Sequence, residues 1–150
     1  TIIKKENSAV NAVYYPVSIK DLDKTDRRES GYCRVKVEGK DLSFYGNKIK
    51  TKNKNFWVYA ANPGKIKKPS NSHPIVQSYV DLFIGGCFQI KERYKINEFP
   101  KQCVETTTEW SKYWVNDRVH ARRPFLVQNF YKIDYLLSNF FDYYLDNKYQ

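Results

Sequence analysis

The stretch that decides the predicted fold is GYCRVKV, residues 31–37. Successive side chains of a β-strand point to opposite faces, so this alternating run predicts a strand with one apolar and one polar face. The apolar face carries Cys33, Val35 and Val37, and the other face carries Tyr32, Arg34 and Lys36. A turn at residues 38–41 and a second strand at residues 42–45 complete a predicted β-hairpin.

A further strand is predicted downstream at residues 56–60, FWVYA, where Trp57 and Tyr59 share one face. If that face coincides with the polar face of the first strand, the sheet presents flat rings beside cations. Such a surface suits a single-stranded nucleic acid, whose bases stack on aromatic rings while cations contact its phosphates. The alternative is that Trp57 and Tyr59 face the protein core, where large aromatic residues are usually found.

Weaker patterns predict the remaining elements. They are a strand at residues 8–19, a charged loop at 21–30, a short helix at 74–84 ended by Gly85-Gly86, a strand at 87–90 and a helix at 109–116. After Pro124, apolar and aromatic residues recur at helical spacing from Phe125 to Leu145. The predicted fold class is therefore α+β, an antiparallel sheet of four or five strands with a short middle helix and a long aromatic C-terminal helix. A length of 150 residues predicts a single domain, residues 1–150.

The chain is strongly basic, with 26 Lys and Arg against 16 Asp and Glu and a net charge of +10. This balance favours a polyanionic partner, and nucleic acid is the first candidate. Residues 42–80 contain no acidic residue, and four of their lysines alternate strictly at Lys48, Lys50, Lys52 and Lys54. On an extended backbone these four would form one row, a lysine ladder that could follow a phosphate backbone. The alternative is a solvated loop that only keeps the protein soluble.

Two further basic groups extend the predicted interface. The first is a loop that contains Lys65, Lys67 and Lys68. The second precedes the predicted C-terminal helix and contains Arg118, His120, Arg122 and Arg123. A helix N-terminus favours anions, so these arginines are candidates for phosphate contact. The alternative for them is a set of salt bridges to Glu105, Glu109 or Asp117.

The sequence predicts no catalytic residue, no cofactor and no metal site. His73 and His120 are the only histidines, and the positions two residues after them hold Ile75 and Arg122. A two-histidine phosphodiesterase would need a hydroxyl residue at both positions. Three widely spaced cysteines without a C-x-x-C pair predict free thiols in a reducing, cytoplasmic compartment. A small metal-independent nuclease that uses His120 remains an alternative function.

The apolar pattern predicts no membrane partner, because no run approaches the roughly 18–20 residues of a membrane span. The N-terminus also lacks the apolar region of a signal peptide. Frequent residues with AT-rich codons point to a virus or phage, and hence to the cytoplasm of a host cell. A viral structural or assembly protein with a basic face is therefore a second alternative function.

The aromatic band of the predicted C-terminal helix is wider than the ~100° stripe that one packed face requires. Left in water, the remainder would be an unusually large apolar patch for a monomer. This excess predicts a homodimer through the C-terminal helix. The alternative is that the tyrosines lie half exposed with their hydroxyls in water.

Residues 31–75 resemble the SpoVG family of small basic bacterial regulators. The matching pieces are Cys33-Arg34-Val35-Lys36-Val37, Phe56-Trp57-Val58 leading to Asn62-Pro63, and His73-Pro74-Ile75. The family's Met-Pro after the strand is absent, and the segment after Val80 has no counterpart in it. The resemblance implies a small β-sheet domain that dimerises and binds DNA or RNA. It supports the prediction of a nucleic-acid-binding protein, with single-stranded DNA or RNA as the partner.

Overall fold

A computed structural model of the chain describes residues 2–3, 5–46, 50–123 and 128–146. The chain divides into two compact units. The N-terminal unit comprises residues 1–8 and 12–66, and the C-terminal unit comprises residues 9–11 and 67–150. The single domain over residues 1–150 stays a prediction, since two compact units can belong to one domain.

The N-terminal unit is built on a two-stranded antiparallel sheet. In chain order it contains helix α1 (Ile19–Arg28), strand β1 (Tyr32–Val37), a 3-10 helix (Gly39–Asp41), strand β2 (Phe56–Ala61) and a 3-10 helix (Pro63–Lys65). Both strands lie where their alternating patterns predict them. In the register of the sheet, Val35 pairs with Val58 and Lys36 pairs with Trp57.

The predicted hairpin partner of β1 is wrong, because residues 42–45 form no strand and β1 pairs with β2 instead. The apolar residues of that stretch are used for packing. The ring centroid of Phe44 lies 6.3 Å from that of Phe56 and 5.8 Å from that of Tyr14. The ring centroids of Tyr14 and Phe56 are 6.1 Å apart. The rings of Tyr14 and Phe44 thus pack against Phe56, at the end of the sheet where Phe56 pairs with Val37. Residues 42–45 therefore contribute an aromatic ring to this cluster instead of a third strand to the sheet.

Helix α1 occupies the stretch predicted as a charged loop, so that prediction is wrong. Ser18 caps the helix, because its hydroxyl accepts a hydrogen bond from the backbone N–H of Asp21 at 3.1 Å. Asp21 lies in the first turn and Arg27 and Arg28 lie in the last, so the charges complement the helix dipole. The predicted strand at residues 8–19 is also wrong, since residues 8–18 form no strand and Ile19 begins the helix.

The C-terminal unit is mainly helical. In chain order it contains strand β3 (Ile75–Val76), helix α2 (Gln77–Tyr94), helix α3 (Phe99–Glu105), strand β4 (Trp114–Val115), a 3-10 helix (Arg118–His120), helix α4 (Phe130–Ser138) and helix α5 (Tyr143–Asp146). Strands β3 and β4 pair in parallel, with Ile75 opposite Trp114.

The predicted sheet of four or five strands is wrong. The described residues form two separate sheets of two strands each, accompanied by helices, so the α+β class holds only in this coarser form. The predicted strand at 87–90 lies inside α2, and Gly85-Gly86 does not end that helix. The reason is an apolar stripe on α2 that buries Val80, Ile84 and Cys87.

The stretch predicted as a helix at 109–116 contains the short strand β4 instead. Glu109 has φ +64°, a conformation that a helix does not contain. Two of the aromatic residues that follow it point inward. Trp110 and Trp114 stack with their ring centroids 5.7 Å apart, and both pack against the hydrophobic core.

The core of the C-terminal unit joins α2, α3, α4 and α5. Its buried apolar residues are Val80, Ile84, Cys87, Phe99, Cys103, Val104, Ile133, Leu137 and Tyr144. Cys87 and Cys103 are buried free thiols, whereas Cys33 in the N-terminal unit is an exposed one.

The long helix predicted from Phe125 to Leu145 is interrupted. Pro124, Phe125 and Leu126 lie outside the described residues, and the described part forms α4 and α5 with residues 139–142 between them. The turn directs Phe141 toward Trp110, at 5.3 Å between ring centroids, and leaves Tyr144 buried. The break between α4 and α5 follows from the packing of these rings in the folded unit. Helical spacing in the sequence does not reveal it.

The N-terminus of α2 is capped from a distant part of the chain by Asp117. Its carboxylate accepts hydrogen bonds from the backbone N–H of Ser78 (2.8 Å), the hydroxyl of Ser78 (2.7 Å) and the backbone N–H of Arg122 (2.8 Å). Burial alone would raise the pKa of Asp117, but the hydrogen bonds from Arg122 and Ser78 outweigh it and hold the pKa below its ordinary value.

Changing Asp117 to Ala is therefore expected to destabilise the C-terminal unit by about 0.5–2 kcal/mol at neutral pH. A lowered pKa means that the carboxylate stabilises the fold at neutral pH and that this stabilisation is lost as the pH falls through the folded-state pKa. Urea unfolding of both proteins at pH 7 and at pH 3 measures the difference. The gap should shrink at pH 3, and Asp23→Ala in the exposed part of α1 serves as the control. An equal gap at both pH values would contradict the capping role.

Candidate nucleic-acid interface

The register of β1 and β2 brings five of the predicted binding residues to one surface. Cross-strand partners lie on the same side of a sheet. Arg34 pairs with Tyr59, Lys36 pairs with Trp57, and Tyr32 pairs with Ala61. We call the surface formed by Tyr32, Arg34, Lys36, Trp57 and Tyr59 the sheet face.

Two rings of the sheet face are open to solvent. Tyr32 is 44% exposed and Trp57 is 39% exposed, so Trp57 does not belong to a core. The guanidinium of Arg34 lies 4.8 Å from the centroid of the Trp57 ring, a cation–π contact that holds the ring in place. A fixed, partly exposed indole is a suitable platform on which a base can stack.

Asp26 of α1 holds two other members of the sheet face. Its carboxylate pairs with Nη1 of Arg34 at 2.9 Å, and it accepts a hydrogen bond from the hydroxyl of Tyr59 at 2.6 Å. Desolvation and the bond to Asp26 raise the pKa of Tyr59, so its hydroxyl stays a neutral donor. Arg34 is thus already compensated by a carboxylate. Lys36 lies 3.6 Å from Glu38, and both side chains are exposed, so this ion pair is weak.

The lysine ladder does not form a single row. The backbone N–H of Lys54 bonds to the carbonyl of Thr51 at 3.0 Å, and Asn53 has φ +63°, so the chain turns at residues 51–54. This turn breaks the extended conformation that the alternating pattern requires. Lys50, Lys52 and Lys54 are all exposed, whereas Lys48 lies outside the described residues.

We call residues 50–54, with Lys50, Lys52 and Lys54, the lysine turn, and it is held close to the end of β1. A Cβ atom on Gly39 would lie 2.8 Å from Oγ1 of Thr51, so the 3-10 helix and the turn approach at the distance that only glycine permits. Within the described part of the chain, Lys50, Lys52 and Lys54 form no ion pair. These three exposed lysines therefore have no competing carboxylate among the described residues.

The predicted loop lysines fall into both units. Lys65 ends the 3-10 helix of the N-terminal unit and is exposed. In the C-terminal unit, Nζ of Lys67 lies 3.0 Å from Nε2 of His73, and Lys68 lies 3.7 Å from Glu109. The structure does not place these three lysines on the sheet face.

The predicted basic cluster of the C-terminal unit separates into two environments. Arg118 is mostly buried, and its guanidinium donates to Asp81 at 2.7 and 2.6 Å and to Asp134 at 3.0 and 2.8 Å. These two carboxylates raise the pKa of Arg118 against the opposing effect of its burial. Arg118 is thus committed to the fold, and its partners are not the acids that the sequence suggested.

Arg122 and Arg123 are exposed at the N-terminus of α2. The guanidinium of Arg123 lies 4.6 Å from the ring centroid of Tyr79, which is itself exposed. The backbone N–H of Arg123 donates a hydrogen bond to the hydroxyl oxygen of Ser78 at 3.3 Å. Both side chains could contact an anion.

Sequence reasoning missed the polar network around Arg118. The indole N–H of Trp114 donates to Gln77 at 2.8 Å, and the amide of Gln77 donates to Asp81 at 2.7 Å. The hydroxyl of Tyr144 donates to Asp134 at 2.7 Å, and burial raises its pKa. Among the described residues, no buried side-chain nitrogen or oxygen is left without a hydrogen bond. The sequence did contain one sign of this network. Asp81 and Asp134 each interrupt the apolar stripe of a helix, α2 and α4.

No group of three His, Cys, Asp or Glu side chains within the described ranges could hold a metal ion. Likewise, none of the helices described is both long enough and apolar enough to cross a membrane.

The chain matches no family model, no curated protein and no solved structure. The resemblance of residues 31–75 to the SpoVG family therefore stays a prediction.

Proposed function

We propose that this chain binds nucleic acid, with a preference for single strands, through the sheet face and the lysine turn beside it. The observation that carries the proposal is the register of β1 and β2. It sets the exposed rings of Tyr32 and Trp57 beside Arg34 and Lys36 on one surface.

The two kinds of side chain would divide the binding. Tyr32 and Trp57 would stack on bases, which are accessible only when the strand is not paired in a duplex. Because Asp26 already compensates Arg34, we assign the main phosphate contacts to the unpaired cations Lys50, Lys52 and Lys54. Phosphate contacts position a strand without reading its sequence, so we expect little sequence preference.

Changing Lys50, Lys52 and Lys54 together to Gln is expected to weaken binding and to reduce its salt dependence. The logarithm of the binding constant falls as the logarithm of the salt concentration rises. Each lost phosphate contact to a single strand should make this slope less steep by about 0.7. Fluorescence anisotropy of a labelled single-stranded oligonucleotide at several salt concentrations measures this slope.

The matched control changes Lys95, Lys101 and Lys112 to Gln, which removes the same charge from exposed positions of the C-terminal unit. This control should lower affinity only slightly and leave the slope close to that of the unchanged protein. Equal slopes for the test variant and the unchanged protein would remove the lysine turn from the interface.

The two alternative functions stay predictions, and the same titration separates them. Absence of binding to single-stranded and double-stranded oligonucleotides would favour a viral or phage assembly protein with a basic face. Cleavage of the oligonucleotide would favour a small nuclease.

The homodimer through the C-terminal helix also stays a prediction. Phe130, Tyr131 and Tyr135 of α4 are exposed, as such an interface requires.

A further inference from the structure

A groove of about 320 Å³ runs between α2 and α4 in the C-terminal unit. Its floor is Phe88 of α2 and Leu136 of α4, which also pack against the hydrophobic core. Tyr131 and Tyr135 stand one helical turn apart on α4 and line the groove, and both rings are exposed. The groove therefore offers apolar and aromatic surface on a floor that is fixed by the core.

The polar side chains of the groove are cationic or neutral. They are Lys91 of α2, Lys132 of α4 and Asn139, which directly follows α4, and no acidic residue lines the groove within the described part of the chain. Lys132 lies 3.9 Å from Glu92, and both side chains reach solvent, so this ion pair is weak. The ammonium groups are thus available to an anion, and the amide of Asn139 can both donate and accept hydrogen bonds.

This combination restricts the ligand. A cation would be repelled by Lys91 and Lys132. A simple inorganic anion would leave the rings of Tyr131 and Tyr135 uncovered. A ligand with a planar ring and a negative group would satisfy both surfaces, because rings stack on tyrosine while phosphate pairs with ammonium. A groove of this size lies near the lower end of the ~300–1,000 Å³ range of ligand sites and so fits one small molecule.

We propose that this groove binds a single nucleotide, with its base against Tyr131 and Tyr135 and its phosphate between Lys91 and Lys132. The nucleotide is either free in solution or one unit of a bound strand. Only the second source rests on the function proposed for the sheet face, since the groove lies wholly within the C-terminal unit.

The test is calorimetric titration of the full chain with adenosine monophosphate, with adenosine and with inorganic phosphate. Adenosine monophosphate should bind at one site and more tightly than either of the other two probes. Binding of adenosine or of inorganic phosphate with equal affinity would overturn the proposal, because one half of the groove would then be unused.

Variants locate the site. Tyr131→Ala and Tyr135→Ala should each weaken binding of adenosine monophosphate by about 5- to 150-fold, as expected for loss of one stacked ring. Lys132→Gln should weaken binding of adenosine monophosphate but not of adenosine. The controls are Tyr94→Ala, an exposed tyrosine of α2 outside the groove, and Lys112→Gln, and neither should change the affinity. Unchanged affinity in both tyrosine variants would overturn the proposal.

Two further measurements separate the sources and the competing occupant. The first adds an oligonucleotide to the Trp57→Ala protein with adenosine monophosphate bound. If the oligonucleotide displaces the mononucleotide, the groove binds one unit of a strand. If it does not, the groove binds the free nucleotide. Sedimentation of the full chain tests the other occupant. A dimer that dissociates on Tyr131→Ala would show a second copy in the groove and would overturn the proposal.

Failure of this proposal is distinguishable from failure of the proposed function. Absence of adenosine monophosphate binding would overturn the groove site whether or not oligonucleotides bind. Absence of oligonucleotide binding would overturn the sheet face and leave any binding of the mononucleotide as an independent result.

Discussion

Replacing Arg118 with Met is expected to destabilise the C-terminal unit by about 3–5 kcal/mol, the usual cost of removing one partner from a buried ion pair. Arg118 makes four hydrogen bonds to the carboxylates of Asp81 and Asp134, both of which are buried. Without the guanidinium, two negative charges would face each other in a place that water reaches poorly. The unfolding midpoint in urea, followed by circular dichroism, measures the loss.

The matched control is Arg122→Met, four residues away and exposed, which should change stability by about 0.5 kcal/mol or less. A second variant tests the mechanism. Adding Asp81→Asn to Arg118→Met should recover part of the lost stability, because it removes one of the uncompensated charges. If Arg118→Met and Arg122→Met shifted the midpoint equally, the network would not hold the unit together.

The position of Arg118 in this network could not be read from the chain. The segment that contains Arg118, His120, Arg122 and Arg123 looks uniformly basic, which is typical of a surface cluster. The acids that bind Arg118 lie 37 positions upstream and 16 positions downstream. Only the packing of α2 and α4 brings them to one point, and single-sequence patterns carry no information on such distant pairs.

Local patterns predicted β1 and β2 well, because alternation over six residues is set by the strand itself. Their pairing was not predicted, since the nearer apolar run at residues 42–45 offered a shorter hairpin. Helix α1 was missed because none of its residues is buried, so it carries no apolar stripe that a core would require. The spacing of Ser18 and Asp21, which form its cap, was the signal available.

The candidate site was predicted in part for the same physical reasons. The residues of the sheet face follow from the strand period once the two strands pair. The lysine ladder fails because strict alternation is meaningful only in an extended chain, and the turn at residues 51–54 is not extended. The aromatic and lysine groove between α2 and α4 depends on the packing of two helices, and the sequence offered no local sign of it.

Changing Trp57 to Ala is expected to weaken binding of a single-stranded oligonucleotide by about 1–3 kcal/mol, the usual contribution of one stacked aromatic ring. The fold should persist, since Trp57 is 39% exposed and the guanidinium of Arg34 lies against its ring. Loss of that cation–π contact should reduce stability by no more than about 1 kcal/mol. Anisotropy with a labelled oligonucleotide measures binding, and urea unfolding measures stability.

Two further variants decide what the ring contributes. Trp57→Phe keeps a flat ring and should retain most of the affinity if stacking is the interaction, whereas loss of a hydrogen bond from the indole would affect both variants equally. Val35→Ala lies on the opposite face of the same sheet at comparable exposure and should leave binding unchanged. If Trp57→Ala bound as tightly as Val35→Ala, the exposed indole would have no part in binding. If Trp57→Ala unfolded the N-terminal unit while Trp57→Phe did not, the ring would be holding Arg34 and the sheet in place, and the stacking proposal would be wrong.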